Sequence, residues 1–150
     1  MKNINLKKTK GLLAKLPTVL VLLFAFTVLK SCTTQYKFST SSVVPAAEGS
    51  VTVKKDNNSN YIINLHIKRL ADPKRLDPAK DIYIVWMETQ QNGIKNIGQL
   101  KTESGMFSST LKSSLKTVSS FKPTGFFITA ENDPNIQHPG GQIVLSTGSL

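Results

Sequence analysis

Tyr61-Ile62-Ile63-Asn64-Leu65-His66-Ile67-Lys68 places Tyr61, Ile63, Leu65 and Ile67 on one side of an extended chain and Asn64, His66 and Lys68 on the other. A period of two marks a strand with one face in a core and one in water. The stretch just before it, Asp56-Asn57-Asn58-Ser59-Asn60, consists of turn formers. Upstream of them Val51 and Val53 alternate with Thr52 and Lys54, which reads as a strand before the turn.

Downstream, residues 82–88 are apolar on both faces, with Tyr83, Val85 and Met87 opposite Ile82, Ile84 and Trp86. Such a strand belongs in the middle of a sheet. Gln91-Asn92-Gly93 is a tight-turn signal that folds residues 94–100 back onto it, since Asn-Gly tolerates the positive φ of a hairpin turn. Residues 105–121 follow neither period and read as one irregular strand or two short ones. After Pro123-Thr124-Gly125, Phe126, Ile128 and Ala130 share a face opposite Phe127 and Thr129, and Pro139-Gly140-Gly141 opens a last strand at 142–145. About seven short strands without an amphipathic helix predict an all-β, antiparallel, immunoglobulin-like sandwich over residues 49–150.

The N-terminus reads differently. Residues 1–15 hold five lysines and no acid, and residues 16–29 (LPTVLVLLFAFTVL) carry no charge. This is the layout of a secretory signal. The run is short of the ~20 residues that span a bilayer, although residues 11–29 approach that length if Lys15 snorkels. Leu29-Lys30-Ser31-Cys32 resembles the lipobox of bacterial lipoprotein signal peptides, with a branched apolar residue at −3 and a small one at −1. Lys30 departs from the pattern at −2. The resemblance implies cleavage between Ser31 and Cys32, and a mature chain whose Cys32 carries a diacylglycerol thioether and a further acyl chain. Thr33, rather than an acid, follows the cysteine, which in such proteins goes with the outer membrane. The division expected is a signal peptide over 1–31, lipidated Cys32 with a flexible tether to residue 48, and the sandwich from 49. In the tether, Tyr36 and Phe38 alternate as a short edge strand would. An uncleaved transmembrane helix is the alternative anchor.

The formal charge of +10 does not indicate nucleic acid, because six of the 19 basic residues lie in the address segment. Thirteen basic and nine acidic residues remain after Cys32, an ordinary charge for a soluble surface. Cys32 is the sole cysteine, which excludes an intrachain disulfide and a cysteine zinc site.

Tyr83-Ile84-Val85-Trp86, a turn with Gly93, Gly98-Gln99-Leu100, Ile128-Thr129-Ala130-Glu131, and Pro139-Gly140-Gly141 before Ile143-Val144-Leu145 follow one another in an order that resembles the extracytoplasmic C-terminal domain of K-type anti-sigma factors. The likeness implies a sandwich over about residues 50–148. It also implies a cytoplasmic helical domain that holds the sigma factor; here the segment 1–15, without Cys or His, is all that precedes the apolar run. The expectation is therefore the outer domain alone, with a sensory accessory of an anti-sigma system as the alternative function.

No nucleophile elbow, phosphate loop or HExxH helix occurs. His66 falls on the polar face of its strand. Asp72, Asp77, Asp81, Glu131 and Asp133 are carboxylates in loops or at a strand end, but Asp-Pro pairs start turns and Lys74, Arg75 and Lys80 repel a cation. No metal or cofactor is expected. The reading is a monomeric, non-catalytic envelope lipoprotein with a protein partner. If consecutive strands are antiparallel, four reversals separate the strand at Tyr61 from the strand at Phe126. Their following loops, 71–80 and 132–141, then share one end. Lys74, Arg75, Asp133 and His138 are the candidate contacts there.

Overall fold

The computed structural model describes residues 33–103 and 111–148. Among the described residues nine strands occur in chain order: β1 (Thr33–Lys37), β2 (Glu48–Lys55), β3 (Tyr61–Lys68), β4 (Ile82–Thr89), β5 (Gly93–Gln99), β6 (Lys101–Glu103), β7 (Lys112–Ser119), β8 (Pro123–Glu131) and β9 (Ile143–Ser146). One sheet has the order β1-β2-β3-β7-β6 and the other β5-β4-β8-β9, with every described pairing antiparallel. Without β1, this is the strand order of an immunoglobulin-like sandwich whose second sheet carries one additional edge strand.

The two-residue period sets the core. Val51, Val53, Ile63, Leu65 and Ile67 from one sheet meet Tyr83, Val85, Met87, Phe126, Ile128 and Ala130 from the other. Fully burying an Ile, Leu or Phe contributes about 1.5–3 kcal/mol each, so these inward rows fix the register: a slip of one residue would turn each row to water. Residues 82–88, apolar on both faces, lie between β5 and β8 in the middle of their sheet.

Two features raise the strand count from seven to nine. Residues 33–48, read as a flexible tether, are folded: Thr33–Lys37 pairs along β2, and Val44 and Ala47 are buried in the core. Phe38 N donates to Gly49 O (3.0 Å) and Ser39 N to Ser146 O (2.9 Å), so the segment is bonded to both sheets. The compact unit accordingly begins at Thr33, not at residue 49. Composition misleads here because the Thr and Gln side chains of β1 are exposed while the backbone supplies the bonds. The second feature follows the stretch 94–100: β5 ends in one sheet at Gln99 and the chain enters the other as β6 at Lys101. The switch follows Gly98, whose φ of +131° is open to glycine and strained for other residues, and it buries Leu100.

Residues 112–119 form one regular strand, β7. Its inward positions hold Ser113, Leu115, Thr117 and Ser119, paired with Ile67, Leu65, Ile63 and Tyr61. Small polar residues at three of the four inward positions hide the period. Of the stretch 105–121, residues 105–110 lie outside the described part.

Candidate functional site

Registers sort the connections between the two ends of the sandwich. Thr33 pairs with Lys54, Tyr61 with both Lys55 and Ser119, and Thr89 with both Gly93 and Pro123. One end therefore carries the start of β1 and three short turns, at 56–60, 90–92 and 120–122. The opposite end carries the longer connections 38–47, 69–81 and 132–142. β3 and β8 run the same way, so the two loops that follow them leave from this second end, where Asp81 N donates to Glu131 O at 3.0 Å.

The loop over 69–81 is held by its own polar groups and by bonds to Ala46 and Glu48. Arg69, at φ +56°, pairs with Glu48 and donates through Nε to Ala46 O at 3.1 Å. Asp72 accepts from Lys74 N (3.0 Å), capping a 3₁₀ turn over Pro73–Arg75, and Lys80 N closes the loop onto Pro73 O. Beneath it, Tyr83 donates its hydroxyl proton to Ala71 O at 3.0 Å. Burial first, and the negative charge of Asp72 second, push the Tyr83 phenol up to about 12. A cavity of about 640 Å³ opens here, lined by Ala71, Pro73, Arg75, Tyr83, Leu100 and Leu111 among others.

The loop over 132–142 folds back across the outer face of the β5-β4-β8-β9 sheet. Ile136 packs on Ile84, Trp86 and Phe127, a second apolar cluster on the opposite side of that sheet from the main core. Trp86 is fully buried in this cluster and stacks on Phe127, with centroids 6.2 Å apart. Two clamps hold the loop. Asn96 on β5 donates from Nδ2 to Pro134 O (3.1 Å) and Ile136 O (3.0 Å). Glu131 Oε1 accepts from Gly140 N (3.1 Å), Gly141 N (2.8 Å) and the Thr129 hydroxyl (2.6 Å). Glu131, a conceivable cation ligand by sequence, is thus occupied by N–H and O–H donors.

The four candidate residues are all exposed and fall into two groups. Arg75 lines the cavity under the first loop. His138 lines a different one, of about 570 Å³, with Lys95, Asn96 and Gln137. Lys74 and Asp133 line neither, and Asp133 Oδ1 accepts from Asn135 N within its own loop (2.8 Å). The loops therefore share an end without forming one pocket. Cys32 and Ser31 lie outside the described residues. His66 is exposed beside Lys37 and Lys68 on the outer face of the first sheet.

Sequence reading missed Asn96 and Tyr83. Asn96 carries no motif, but Tyr83 was visible as a polar-tipped aromatic on a strand buried on both faces, where its hydroxyl needs a partner. Among the described residues no three His, Cys, Asp or Glu side chains are grouped to hold a metal ion, and no helix is long and apolar enough to cross a membrane. No protein family, curated protein or solved structure matches the chain.

Proposed function

We propose that the protein is a non-catalytic binding module of the bacterial cell envelope, a monomer anchored at the outer membrane through lipidated Cys32, whose 69–81 loop engages a protein partner. The observation that supports this reading is the separation of the two ends. Peptide connectivity puts Cys32 immediately before β1, at the end with three short turns, while the long connections and the Arg75 cavity are at the other. A chain held at one end by lipid has its opposite end free for recognition, and loops on a rigid scaffold are where binding sits.

The test places a photo-crosslinking residue at position 75 or at position 57 in the full chain and irradiates intact cells. A discrete adduct from position 75 that is lost on reversing the charge of Lys74, and no such adduct from position 57, is expected. Equal adducts from both positions sink the reading.

A further inference from the structure

We infer that the short-turn end of the sandwich is a docking face for an anionic phospholipid surface, so that the domain lies against the membrane that anchors it. The inference rests on the anchor reading above and holds for a lipid on Cys32 or for a retained helix, since both enter β1 at Thr33.

Charge is the first support. In the half of the sandwich nearer the short turns, Lys54, Lys55, Lys95, Lys116 and Lys122 face two carboxylates, Asp56 and Glu88; the remaining eight basic residues after Cys32 face seven acids. Most of the net charge of the folded part thus sits at the end where the chain leaves the membrane. Asp56 is partly occupied as well, because Oδ1 accepts from Asn58 N and Asn60 N at 2.8 Å each. An anionic bilayer attracts each nearby lysine with a factor of roughly fivefold in binding.

Exposed apolar groups supply the second. Among the described residues, three of the five large hydrophobic side chains left open to solvent are at this end: Val118 (58%), Ile94 (43%) and Phe121 (39%). Lys95 Nζ lies 5.7 Å from the Phe121 ring centre and Lys55 Nζ 5.9 Å from that of Tyr61. Cations beside aromatic rings are the composition of surfaces that sit at the headgroup boundary. Connectivity is the third. Tyr36 pairs with Val51 and Thr33 with Lys54, so β1 leaves no slack between Cys32 and the sheet, and the bilayer meets this end rather than the loop at 69–81.

The test reconstitutes the full chain into vesicles of phosphatidylcholine alone or with phosphatidylglycerol as the minor component, and follows hydrogen–deuterium exchange. Exchange over residues 56–60 and 119–122 should slow severalfold in the anionic vesicles, with residues 71–80 unchanged. A Lys54→Gln, Lys55→Gln, Lys95→Gln, Lys122→Gln variant, altered only at side chains on the surface, should lose the difference. Equal exchange in both lipids, protection confined to residues 71–80, or protection that grows with protein concentration in phosphatidylcholine alone overturns the inference, the last by pointing to a second copy as occupant. Failure of the chain to float with either vesicle would instead remove the anchor reading, and the inference with it.

Discussion

The indole N–H of Trp86 on β4 donates to the hydroxyl of Thr129 on β8 at 2.8 Å, and Thr129 donates its own proton to Glu131 at 2.6 Å. This chain of bonds runs along the outer face of the sheet, beneath the 132–142 loop, and ends on the carboxylate that holds Gly140 and Gly141. It joins the position of the loop to the burial of the tryptophan.

Thr129→Val keeps the shape of the side chain, leaves the buried indole N–H without an acceptor and removes one of the three donors to Glu131 Oε1. Its expected cost is about 1–3 kcal/mol. Trp86→Ala opens a large cavity under the loop and should cost about 3–5 kcal/mol. Urea unfolding of each variant measures both, and the wild-type tryptophan should emit as a buried indole. A Thr129→Val variant as stable as wild type would remove the bonded chain from the account of the loop.

Tyr83 gives a pH dependence with a defined sign. Its phenol is held up to about 12 in the folded chain, whereas an unfolded tyrosine titrates near ~10. The folded state therefore binds the proton more tightly. The stability so gained is complete below about pH 10 and is lost as the pH rises towards 12, with a slope of at most ~1.4 kcal/mol per pH unit. The informative quantity is wild type minus Tyr83→Phe, in which contributions common to both chains cancel. That difference should fall between about pH 10 and 12 and be flat from about pH 7 to 9. A difference flat throughout would show that the phenol does not titrate abnormally.

Two glycines separate steric from conformational cost. A Cβ at Gly141 would run into the backbone carbonyl oxygen of Ala130, which has no side-chain freedom with which to yield. At Gly93 a Cβ meets nothing within 4 Å, and the φ of +65° is the sole penalty. Gly93→Ala should cost about 1 kcal/mol, and Gly141→Ala about 3 kcal/mol or more, as overpacking does. Denaturation midpoints that reverse this order would mean that the 142–143 backbone moves freely away from β8.

The strands with a clean period were legible, and the reason is visible in β3, whose inward Ile63, Leu65 and Ile67 are all buried while His66 and Lys68 are exposed. β1 was legible only in the alternation of Tyr36 and Phe38, because Thr33, Thr34 and Gln35 are all exposed and contribute backbone bonds, which composition does not record. Trp86 was legible as buried, yet its cover was not: Ile136 lies far along the chain in a loop that reads as polar, and Asn96, which pins that loop, is one of many asparagines. The candidate loops were found from strand direction. Their separation into two surfaces follows from the Glu131 and Asn96 clamps, which depend on tertiary neighbours.

Cys32 carries the reading of the N-terminus, and Lys30 tests it most sharply. On the proposed lipoprotein reading, the lipobox-like tetrad that overlaps the end of the uncharged stretch 16–29 at Leu29 requires thioether formation on Cys32 and cleavage before it. Cys32→Ser should accumulate a precursor that still carries the segment 1–31 and abolish incorporation of a fatty-acid analogue in growing cells. Lys30 places a charge at −2, where such signals hold small or uncharged side chains, so Lys30→Ala should speed processing in a pulse-chase without altering the final product. Three acyl chains on Cys32 would make a stable anchor, where one alone binds marginally at ~0.8 kcal/mol per buried CH₂. A retained helix predicts the reverse on every count: no labelling, one mobility for wild type and Cys32→Ser, and no effect of Lys30→Ala on chain length over time. Labelling that persists in Cys32→Ser, or a wild-type chain that keeps the segment before Cys32 at steady state, would transfer the anchor from the cysteine to the apolar run itself.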